Sequence, residues 1–215
     1  QTTLDLGTSS LIGATPSAFT LDGGTLIVGS TYALGAIHSG NANGNIRTPN
    51  AFRPYALGST IIYRGAGPLM LGAGHPLNTD ITTIIDNPDG VSLAANRVIN
   101  HPIVLQSGAL NINGFTLTIN STIEDAGGFL TGTPTSRLYL LGSADGPIGD
   151  LPFEPGSAEL DILTINRTGD NVSAIITGAV TINSQLNLTR GAIINNGTVT
   201  LADSVVLTRY ETSEL

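Results

Sequence analysis

Cysteine, lysine and tryptophan are missing altogether from this chain of 215 residues, and methionine occurs once. Without cysteine there is no disulfide, no thiolate nucleophile and no cysteine-bound metal. Without lysine there is no P-loop, because that motif needs its lysine to reach the phosphates. The basic residues are therefore eight arginines, set against sixteen carboxylates for a formal net charge of −8. A chain of this sign with no basic cluster does not suit nucleic acid or an anionic membrane surface. No apolar run reaches the roughly 18 residues that a membrane-crossing helix needs, so no membrane insertion is expected. Gln1 stands where a methionine would, which reads as a processed terminus or an excerpt.

Aromatic residues are 5% and charged residues 11%, whereas hydrophobic residues reach 40% and glycine 27 positions. The remainder is rich in Thr, Ile, Leu, Val and Asn, a composition that favours strands and tight turns over helices. From Gly178 the chain cuts into blocks of six or seven residues: GAVTIN, SQLNLTR, GAIINN, GTVTLAD, SVVLTR. Val180/Ile182, Leu186/Leu188 and Val199/Leu201 are spaced by two and share one strand face, with Thr181, Asn187 and Thr200 on the other. Gly, Asn, Asp and Ser fall at the junctions, where the backbone turns. The same cut works for HPIVLQ, SGALNIN and GFTLTIN between His101 and Asn120.

Strands this short with such tight corners predict an all-β, right-handed parallel β-solenoid, or β-helix. At about 20–25 residues per turn the chain makes roughly nine turns and a stack ~45 Å long. A two-sheet β-sandwich is the alternative, although its strands and connections usually run longer. Three regions follow: residues 1–70, irregular turns with a long loop at 39–58 thrown out from the stack; 71–141, a first repeat unit; and 142–215, a second. Gly108 and Gly114 align with Gly191 and Gly197, an offset of 83, and Thr116-Leu117-Thr118 with Thr198-Val199-Thr200, an offset of 82. A one-residue slip reverses strand faces unless a corner absorbs it, so Phe115 is expected at a corner. An irregular piece, Gly142 to Glu159, divides the two units.

The segment LPFEPGSAELDILTINRTGDNVSAIITGAVTINSQLNLTRGAIINN resembles the β-solenoid repeats of very large Bacteroidetes surface proteins, commonly exported by type IX secretion. Leu151-Pro152-Phe153, Leu160, Leu163-Thr164-Ile165-Asn166-Arg167 and Leu186-Asn187-Leu188-Thr189 with Gly191 carry the likeness, and Gly58 to Gly72 adds to it. The resemblance implies an extracellular or cell-surface adhesin, filament or coat, and it carries over no catalytic residues. The expected partners are neighbouring subunits or continuing chain at both ends of the stack, with surface glycans a further possibility.

Candidate chemistry is sparse. No catalytic set and no metal ligands are assigned, no GxSxG elbow occurs, and no cofactor is expected. Asp86 with Asp89, and Asp145 with Asp150, are the nearest candidates for calcium binding or carboxylate catalysis, but Asp86-Asn87-Pro88-Asp89-Gly90 reads first as a turn. His38, His75 and His101 are widely separated, without metal-ligand spacing, and read as loop or corner residues. The richest ligand site is the group Arg47, Phe52, Arg53, Tyr55, Tyr63 and Arg64. Guanidinium donors and aromatic faces can hold a sugar or an acidic ligand, or they can simply pack the loop and satisfy its carbonyls. A carbohydrate-binding or carbohydrate-cleaving solenoid is thus the second functional reading. Ice binding is a third, through the TxT pairs Thr116/Thr118 and Thr198/Thr200, which an ice face would need in nearly every turn. Sequons begin at Asn120, Asn166, Asn171, Asn187 and Asn196, as an Asn/Thr-rich composition produces, and Asp203-Ser204-Val205 resembles a short O-glycosylation motif.

Overall fold

The computed structural model describes residues 2–13, 17–40, 42–48, 53–156 and 158–209. These residues form strands, turns and bends with no helix, and every strand pair is parallel. The sandwich alternative is thereby excluded, because hairpin-connected sheets would pair antiparallel. The chain is a parallel β-solenoid whose first face is a nine-stranded sheet, one strand from each turn.

Stacking is visible in one inward column of that face. Leu26, Ile61, Thr83, Ile103, Ile123, Gly149, Ala174 and Ile193 lie side by side in register. Neighbours in the column are 19 to 26 residues apart, except Leu26 and Ile61, which are 35 apart. Strands are held by alternation: Ile81–Asp86 alternates buried and half-buried side chains along its length. Each fully buried Leu or Ile contributes about 1.5–3 kcal/mol by leaving water, and the buried aliphatics form one continuous core from Phe19 to Leu186.

The second face holds Leu69–Leu71, Val91–Leu93, Ala109–Asn111 and Phe129–Thr131. The third begins at the edge strand Arg97–Ile99 and continues through Thr116–Ile119 and Arg137–Leu140. In later turns two long strands, Ala158–Asn166 and Ala179–Arg190, run through both faces. A register shift between Leu160 and Ile162 marks where the first of them bends.

The expected 82-residue repeat does not survive this geometry. Leu117 stacks through Leu138, Leu163 and Leu186 to Leu207, whereas Val199 stacks on Val180 in a different column. Gly108 turns the chain from the first face to the second, but Gly191 precedes the first-face strand Ala192–Asn195. The alignment crosses columns because every block has the same inward-outward alternation and so matches a block on any face. The recurring unit is the single strand block. Phe115 does sit at a corner, after Asn113 and Gly114, both at positive φ, and its N–H donates to the Ile112 carbonyl at 3.1 Å.

Two irregular regions are also corrected. The 39–58 segment accounts for the 35-residue turn, yet its described part lies against the stack. Asn45, Ile46, Thr48, Arg53 and Tyr55 are buried, and Ile46–Arg47 pairs with Leu11–Ile12. Buried loop backbone must find partners, and Asn45 supplies four. Its amide donates to the carbonyls of Gly7 at 2.7 Å and Ser9 at 2.6 Å, and its carbonyl accepts from the amides of Gly29 and Ser30. Within Gly142 to Glu159, Gly149–Pro152 is an ordinary first-face strand.

Candidate functional site

The six residues grouped by the sequence separate. Tyr63 ends the strand Ser59–Tyr63 and is fully buried. Arg64 goes to the surface, where its Nε donates to Asp86 Oδ2 at 2.6 Å. Arg47 stands beside Ile12, its Nε buried and without a partner. Phe52 lies outside the described residues. Arg53 and Tyr55 remain together, and they meet His75, Asn78 and Arg97 around a cavity of about 230 Å³.

Arg53 acts first as a clamp. Its guanidinium donates to the carbonyls of His38 at 2.5 Å, Gly40 at 2.9 Å, Ile46 at 2.8 Å and Thr48, and its Nε to Thr48 Oγ1 at 3.3 Å. Five donors in a rigid fork suit this task, and a lysine could not do it. Tyr55 bridges Leu21 and packs edge-on to Phe19 with ring centroids 6.2 Å apart. Its hydroxyl is buried without a hydrogen-bond partner. Burial pushes the Tyr55 phenol up to about 12, against the opposing pull of the Arg53 charge. Burial likewise lowers the Arg53 and Arg97 guanidinium values from their ordinary one.

Behind the cavity lies a buried polar chain. Tyr63 Oη is 3.0 Å from His75 Nδ1, and His75 Nε2 is 3.3 Å from His101 Nε2. Thr83 Oγ1 sits between them, 3.2 Å from His75 Nε2 and 2.8 Å from His101 Nε2. His101 Nδ1 is 2.7 Å from the Asn78 carbonyl, which can only accept, so that nitrogen carries a proton. With both rings neutral, one assignment avoids facing lone pairs: Tyr63 donates to His75, His75 to Thr83, Thr83 to His101, and His101 to Asn78. Burial, then the neighbouring His101, then Arg97 hold the His75 imidazole well below its ordinary value. Burial also lowers His101, although its bond to Asn78 opposes this.

The histidines were expected at loops or corners, each on its own. Their backbones do lie outside strands, but one turn of the solenoid brings two of the rings together in the core. Thr83, Asn78 and Arg97 were not singled out by sequence reasoning. Two signals were there: Thr83 takes an inward place between Ile81 and Ile85, and His75 and His101 are 26 residues apart, one long turn. His38 stays separate, its Nδ1 accepting from the Gly40 amide at 3.1 Å.

Among the described residues no three His, Cys, Asp or Glu side chains converge as a metal site. Asp86 Oδ1 accepts from Ser107 Oγ at 2.9 Å, and Asp89 Oδ2 from the Gly67 amide at 2.9 Å, so both tie one turn to another. Asp145 Oδ1 accepts from the Asp170 amide in the same way. The turn at Asp86 to Gly90 is present, with Gly90 at positive φ and its amide bonded to the Asn87 carbonyl. The outward column at Thr118 runs Tyr139, Thr164, Asn187, Thr208 and is not a threonine array.

No family model, curated protein or solved structure matches this chain. The reading of its function therefore rests on its own sequence and geometry.

Proposed function

We propose that this chain is a non-enzymatic rod segment of an extracellular adhesin, filament or surface coat, as its resemblance to Bacteroidetes surface solenoids implies. A parallel solenoid resists bending and proteolysis because each turn's backbone groups are bonded to the turns on either side. The interior supports this reading, since it is filled by aliphatic columns from the first turns to the last.

The observation that carries the proposal is the state of the last described rung. Leu207 occupies the column of Leu117, Leu138, Leu163 and Leu186. Leu186 is 7% exposed, and Leu207 is 55% exposed. Val206 and Leu201 are exposed beside it. A side chain at a core position with water on its open side fits a rung that another layer of protein covers, either continuing chain or a neighbouring subunit.

Hydrogen exchange on the native assembly tests this. The amides of Val206–Arg209 are expected to be as protected as those of Gln185–Leu188. Exchange at the rate of an open edge, with the protein a monodisperse monomer, rejects the rod reading.

A further inference from the structure

We propose that the cavity between Arg53, Tyr55 and Arg97 binds a small oxyanion, a carboxylate that is either free or carried on a sugar. The inference is independent of the rod reading. It starts from the register of the third face. Leu117 pairs with Arg97, so Arg97 stands in the column that Leu117, Leu138, Leu163, Leu186 and Leu207 continue. Val98 points outward and is 40% exposed, whereas Ile99 is buried. The alternation of the strand thus turns Arg97 inward, at a place where five successive turns carry leucine.

Among the described residues nothing uses this arginine fully. Its Nε is buried with no hydrogen-bond partner, and so is the Tyr55 hydroxyl on the same cavity. Unmade buried donors are costly, and native proteins rarely keep two at one spot unless something fills it. The wall carries two guanidinium groups and no carboxylate. Arg53 spends its donors on carbonyls, so its charge adds to that of Arg97 with no acid to balance it. By contrast, Arg64 and Arg137 on the surface have Asp86 and Asp161 as partners. A wall of cations and donors complements a ligand that only accepts, which is the chemistry of a carboxylate.

The fold explains why the space exists there. Arg97–Ile99 is the edge of the third sheet. On its far side the wall comes from Arg53, Tyr55 and the Ala73 to Asn78 segment, which follow loop paths and not the leucine rung of later turns.

Calorimetric titration with glucuronate, acetate and glucose at fixed ionic strength tests the proposal, using the wild type, Arg97→Leu and Tyr55→Phe. Saturable binding of glucuronate is expected, with none for glucose. Arg97→Leu extends the leucine column and is expected to keep the fold while losing at least about tenfold in affinity. Tyr55→Phe removes only an unpartnered hydroxyl, so it is expected to weaken binding without lowering the melting temperature. Acetate binding as tightly as glucuronate supports a site for the free anion, and tighter glucuronate binding supports a sugar-borne one. Absence of saturable binding to either anion overturns the proposal, as does undiminished binding in Tyr55→Phe.

Discussion

His75 Nε2 lies 3.3 Å from His101 Nε2 in the solenoid core, with Thr83 Oγ1 in contact with both. Burial disfavours a proton on either ring, which keeps both neutral. The groups around it sharpen this: Arg97 repels positive charge on His75, and the buried Tyr63 hydroxyl is bonded to it.

A pH dependence follows. Both folded-state values are depressed, so the unfolded chain binds more protons, and stability rises with pH through this window. The contribution is complete above the unfolded value near 6.5 and is lost as pH falls below it. Thermal unfolding scanned between about pH 8 and pH 5 is expected to show a flat melting temperature, then a decline beginning near 6.5, before carboxylates titrate near 4. A profile flat down to about pH 5 would contradict the neutral-pair arrangement.

Arg167 is a second internal tie. It is fully buried, its Nε donates to the Leu141 carbonyl at 3.1 Å, and its guanidinium also reaches the Ser121 carbonyl. With its own amide on the Arg190 carbonyl, one residue links four successive turns. Charge-assisted bonds contribute about 1.5–3 kcal/mol each, and desolvation of the cation offsets part of that. Arg167→Ala is expected to lose about 3 kcal/mol in urea unfolding, and Arg167→Lys to recover less than half, since one ammonium cannot span both carbonyls. Full recovery by lysine would show that charge alone matters.

Gly108 and Gly146 separate conformational strain from crowding. Both have positive φ, at 68° and 80°. A Cβ on Gly108 would lie 1.9 Å from the Asn87 carbonyl oxygen, whereas one on Gly146 would meet nothing within 4 Å. Gly146→Ala therefore carries only the left-handed penalty, about 1–2 kcal/mol. Gly108→Ala must also push two turns apart, so it is expected to exceed 4 kcal/mol or to prevent folding, a loss of the rare large class. Similar melting temperatures for the two variants would refute the close-stacking account.

Within the candidate site, Arg53 and Tyr55 were legible because aromatic and guanidinium groups stand out in a sequence so poor in both. Tyr63 and Arg64 were grouped with them by proximity in the chain, yet one went to the core and the other to Asp86. Sequence neighbours on a strand point to opposite faces, so adjacency misleads at short range. Arg97 went unnoticed because recognising an inward arginine requires the register that makes it the continuation of a leucine column.

By itself, the sequence determined an all-β chain of short blocks and favoured the solenoid, because period-two aliphatics with Gly and Asn between them bury their inward faces by stacking turn on turn. The parallel pairing that excludes a sandwich came from the structure. The sequence also determined the absence of thiol and lysine chemistry. Which block lies over which was left to the tertiary structure, because blocks of identical alternation are interchangeable until corners and loop lengths fix the register. That register brings His75 to His101 and sets Arg97 facing Tyr55, pairings between residues 26 and 42 positions apart in the chain that no local pattern encodes.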